Sequence, residues 1–62
     1  SHELSKKYSS TIKLVQKKLD QTDNDALNTK LNELKRAICD DNAPVCETLD
    51  DELNDILFEL EE

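Results

Sequence analysis

There is no glycine anywhere in these 62 residues, and only one proline, Pro44. Glycine supplies the positive φ angles that tight two-residue hairpin turns need. A chain without it is poorly suited to a sheet and well suited to helices joined by short polar loops. Leu, Lys, Glu and Asp carry much of the sequence, and the first three are good helix formers. The expected class is all-α.

Length sets the next limit. A chain of this size buries only about 60% of the surface its unfolded form exposes, so one small, marginally stable domain over residues 1–62 is expected. Metals, disulfides, oligomerisation or a partner often supply the remaining stability. Tyr8 and Phe58 are the only aromatics, which leaves the core to Leu, Ile, Val and a few Ala. Met is absent, so the chain is expected to be an excised fragment of a larger protein or a processed product. Ser1 and His2, of the kind that cloning adds, are kept out of the functional reading. No stretch approaches the roughly 20 apolar residues of a membrane span.

Apolar periodicity places helices at about 3–19, 25–39 and 44–61. In the first, Leu4, Tyr8, Ile12, Val15 and Leu19 share one face. The polar cluster from Asp20 to Asn24 ends it, and Thr22, Asp23 or Asn24 can cap the second. That helix carries Leu27, Leu31, Leu34 and Ile38, with Ala26 and Ala37 at the edges and Lys35 and Arg36 near its C-terminal end, where the dipole favours them. After Asp40-Asp41-Asn42-Ala43, Pro44 fits a first helical turn, where its missing N–H costs nothing. The third stripe is Val45, Leu49, Leu53, Ile56 and Leu60, reinforced by Cys46 and Leu57. A capping signal at Thr48-x-x-Asp51 offers a later start. The Pro44 start is preferred because it brings Val45 and Cys46 onto the apolar face. Short connections favour antiparallel neighbours, hence an up-down-up three-helix bundle. The alternative is a helical hairpin completed by another chain.

Charge is divided by segment. Residues 1–20 hold five Lys against Glu3 and Asp20, residues 21–39 are balanced, and residues 40–62 hold ten acids and no base, for a net charge of −7. In an up-down-up arrangement the basic first helix lies beside the acidic third, which favours that arrangement over ones that group like charges. Exposed pairs themselves contribute only about 0–1 kcal/mol each. Glu59, Glu61 and Glu62 crowd a helix C-terminus that is already partially negative. Either the helix continues past residue 62, the simpler explanation, or a basic partner meets that end.

The sequence offers no constellation for catalysis, cofactor or metal. Its only histidine is His2, so no Ser-His or Cys-His nucleophilic pair is expected. The acidic runs lack the Gly and the terminal Glu of a calcium loop. Two cysteines without a nearby histidine do not make a zinc site. Cys39 lies off its stripe and Cys46 on the core side, which favours two free thiols, one of them buried. The net charge disfavours nucleic acid, and the lysines lack an aromatic-rich face for membrane binding.

Two large apolar residues fall off the stripes. Leu14 sits about 120° and Phe58 about 155° from the centres of their helices' apolar faces. Aromatics are enriched at interface centres. The expected partner surface is therefore Phe58 with Leu14 and Leu57, rimmed by Asp55, Glu59 and Glu62, in a helix-in-groove mode. The expected function is a non-catalytic, adaptor-like protein–protein interaction domain that binds a basic or amphipathic helix, in the cytoplasm or nucleus. Two alternatives stand beside it. One is a self-assembling structural or oligomerisation module. The other is a secreted, processed helical peptide closed by a Cys39–Cys46 disulfide.

Overall fold

The structure is a computed structural model that describes residues 2–61. It is all-α, with four helices: α1 (His2–Lys7), α2 (Ser9–Gln21), α3 (Asp25–Cys39) and α4 (Ala43–Glu61). The radius of gyration is 11.0 Å, against about 10.6 Å for a compact chain of this length. The most extensive packing is between α3 and α4, and α2 packs on both of them. The three longer helices therefore all contribute to one core cluster.

The first expected helix is divided in two. Tyr8 adopts φ −100° and ψ 9°, off the helical values, and separates the short α1 from α2. Its backbone bonds survive the bend: Tyr8 N–H donates to the Leu4 carbonyl at 3.0 Å, and Ile12 N–H to the Tyr8 carbonyl at 3.1 Å. The cause is local. Ser9, Ser10 and Thr11 follow in sequence, and the Ser9 hydroxyl donates back to the Lys6 carbonyl at 3.0 Å. Such back-bonding competes with the helical ladder and bends it. Leu4 and Tyr8 are nevertheless both buried in the core cluster.

Asn24 is the residue that caps α3, its side chain accepting the Leu27 N–H at 3.1 Å. The far end of α3 closes without glycine. Asp41 takes φ 58°, while Asn42 N–H donates to Ala37 O at 2.9 Å and Asp41 N–H to Ile38 O at 3.1 Å. These two bonds define a Schellman motif with Asp41 in the left-handed position that glycine usually fills. Asn42 then opens α4, its side chain accepting the Val45 N–H at 3.4 Å. Pro44 therefore lies in the first turn. Thr48 sits inside α4, donating to the Pro44 carbonyl at 3.2 Å, so the later start is not used.

The core consists of Leu4, Tyr8, Val15, Leu27, Leu31, Leu34, Ala37, Ile38, Cys46, Leu49 and Leu53, with Ile12, Leu19, Ile56 and Leu57 packed against it. Two members of the expected third stripe are corrected: Val45 is 42% exposed and Leu60 38%. The helix is rotated so that Cys46, Leu49 and Leu53 face inward, and this carries Val45 and Leu60 to the edge. Cys39 is exposed and Cys46 buried, both as free thiols. Burial raises the Cys46 thiol pKa above its usual value.

Cross-helix polar contacts join the helices. Lys30 on α3 pairs with Glu52 on α4 at 3.1 Å, and the short connection at 40–42 turns the chain back between them. The Thr11 hydroxyl near the start of α2 bonds Asp50 in the first half of α4, and residues late in both helices line one groove. Helices α2 and α4 therefore run the same way.

Candidate interaction surface

Helix α4 carries Glu47, Asp50, Asp51, Glu52, Asp55, Glu59 and Glu61, and no base. Its inward rotation divides six of these acids into two groups. Asp50 and Glu52 are half-buried and reach α2 and α3. Glu47, Asp51, Asp55 and Glu59 lie at successive i, i+4 positions, forming one ridge on the outer face, and all four are exposed. Like charges at that spacing cost about 0.2–0.5 kcal/mol per pair in an isolated helix. Among the described residues the ion pairs are Lys30–Glu52 and Arg36–Asp40, and neither involves a ridge acid.

Phe58 stands beside this ridge. It is 67% exposed, the most exposed large apolar residue of the chain, and Leu14 follows at 56%. Phe58 lies three positions after Asp55 and seven after Asp51, so the only phenylalanine shares the outer face with those acids. Glu62 lies outside the described residues.

Leu14 and Leu57 meet elsewhere. They line a groove of about 260 Å³ between α2 and α4, together with Lys17, Lys18, Gln21 and Glu61. Phe58, Asp55 and Glu59 are not part of its lining. The expected single anchor set is thus distributed over two neighbouring surfaces, a mixed-charge groove and an acidic outer face. The groove's polar members were not anticipated from sequence. A signal for them was present: Leu14, Lys17, Lys18 and Gln21 follow i, i+3, i+4, i+7 and so share one helical stripe.

The expected pairing of basic and acidic helices takes an indirect form. α2 does pack on α4, but the polar contact between them is the Thr11–Asp50 hydrogen bond. Among the described residues no α2 lysine is in an ion pair. Lys7 instead sits 5.5 Å from the centroid of the Tyr8 ring.

Among the described residues no group of three or more His, Cys, Asp or Glu is placed to hold a metal ion, and no helix is long and apolar enough to cross a membrane. Compared with known proteins, the chain matches no family model, no curated sequence and no solved structure.

Proposed function

We propose that this chain is a non-catalytic protein–protein interaction domain whose outer α4 face receives a basic, amphipathic helix. The observation that carries this reading is Phe58, 67% exposed on the helix that bears seven acids and no base. An exposed aromatic flanked by charge of one sign offers an apolar anchor and an electrostatic rim together. The i, i+4 spacing of Glu47, Asp51, Asp55 and Glu59 matches the repeat of Lys or Arg along a partner helix. Docking such a helix relieves the repulsion within the ridge. The supporting framework is read as an up-down-up bundle of α2, α3 and α4, with α1 as a bent extension of its first arm.

The test is a photo-crosslinking residue at position 58 in the folded chain, with the captured segment identified by mass spectrometry. Capture of a Lys- or Arg-rich helical segment, lost when Asp51→Lys and Asp55→Lys are introduced, supports the reading. Capture of acidic or extended segments, or capture unchanged by those reversals, contradicts it.

A further inference from the structure

We propose that the α2–α4 groove is the face through which two copies of this chain associate. The inference goes beyond the docking of a basic helix and uses a different surface. The groove is lined by Leu14, Lys17, Lys18 and Gln21 from α2 and by Leu57 and Glu61 from α4, so each side offers a leucine, with cations on the α2 side and an anion on the α4 side. Lys17 and Leu14 are exposed and Lys18 is half-buried. Lysines on one side and an acid on the other, with a leucine on each, form a self-complementary pattern. A twofold axis running along the groove lays α2 of each copy over α4 of the other and sets Leu14 against the second copy's Leu57. That is the isologous geometry of most homodimers.

Charge also favours a second copy as the occupant. With a net charge of −7, two copies repel each other in most orientations. In the twofold arrangement the lysines of α2 face Glu61 at the end of the other copy's α4, so this orientation brings opposite charges together. The groove's two lysines have no ion-pair partner among the described residues of their own chain, so association offers them new ones. Phe58 lies outside the groove's lining and stays available for the helix-docking role.

Sedimentation equilibrium of the 62-residue chain, up to millimolar concentration, tests this directly. The parent's mass is expected to rise from 7.1 kDa toward twice that value. Lys17→Glu with Lys18→Glu is expected to weaken association at least about tenfold, as close charge pairs do. Leu14→Ser is expected to weaken it too. Adding Glu61→Lys to the lysine-reversed chain should recover part of the loss. Leu14, Lys17, Phe58 and Glu61 are exposed and Lys18 half-buried, and circular dichroism checks that each variant stays helical. Phe58→Ala should associate as the parent does, which separates this proposal from the helix-docking role. A parent that stays monomeric throughout, or a dimer unaffected by the lysine reversals and Leu14→Ser, would overturn it.

Discussion

Helix α4 sits between two seams of different quality. On its α3 side the packing is closed: α3 buries Leu27, Leu31, Leu34, Ala37 and Ile38, and the Lys30–Glu52 pair spans the seam. On its α2 side, α2 buries only Val15, with Ile12 and Leu19 packed at the core's margin. Toward the C-terminal ends of both helices that seam opens into the groove lined in part by Leu14 and Leu57. A short chain has too little apolar surface to close every seam. The open one is where apolar and charged side chains remain at the surface.

The contrast can be broken by mutation. Leu34 is fully buried at the closed seam, so Leu34→Ala should cost about 3 kcal/mol. A chain of this length has roughly 3–9 kcal/mol in total. Urea denaturation should show that variant losing a third or more of its stability, with roughly 0–6 kcal/mol left and a much lower midpoint. Val15, also fully buried, holds the other seam together. Val15→Ala should cost about 2 kcal/mol. Hydrogen exchange should then rise more across α2 than across α3. Equal increases in both helices would mean that the two seams are energetically one.

A third change strengthens the closed side. Asp41 holds φ 58° in the loop that joins α3 to α4, a conformation that costs an L-residue free energy and glycine little. Asp41→Gly should raise stability by about 0.5–1 kcal/mol, read as a higher urea midpoint at unchanged slope. A finer probe is the Cys46 thiol. Its folded pKa is raised by burial, so the folded chain keeps a proton that the unfolded chain releases. Its contribution is therefore full below the ordinary thiol value of about 8.5 and is lost as pH rises through the folded pKa. The alkaline decline in melting temperature should be shallower in Cys46→Ala than in the parent. Cys39, exposed, should react with a thiol reagent before Cys46 does.

Helix α3 was the most legible element. Leu27, Leu31, Leu34 and Ile38 keep one register with polar residues on the other faces, so periodicity alone identifies its buried side. Helix α4 admits two registers that share Leu49 and Leu53, one through Val45 and Leu60 and one through Cys46. Periodicity cannot choose between them, because the choice depends on how α2 and α3 pack around the helix. The structure takes the second. The bend at Tyr8 was hidden because Leu4, Tyr8 and Ile12 keep helical spacing across it, and its cause is a single hydroxyl back-bond from Ser9. At the surface, the sequence singled out Leu14 and Phe58, both now exposed. It missed the lysines that share the groove with Leu14, because charged residues on an outer face were read as solvated or internally paired.

The central claim is that Phe58 is kept at the surface for binding and not for folding. Chemical denaturation of Phe58→Ala beside the parent tests it most directly. A stability within about 0.5 kcal/mol of the parent, as for surface substitutions generally, is the expected result. A loss of several kcal/mol, on the scale of Leu34→Ala, would contradict it and place Phe58 among the residues that hold the fold together.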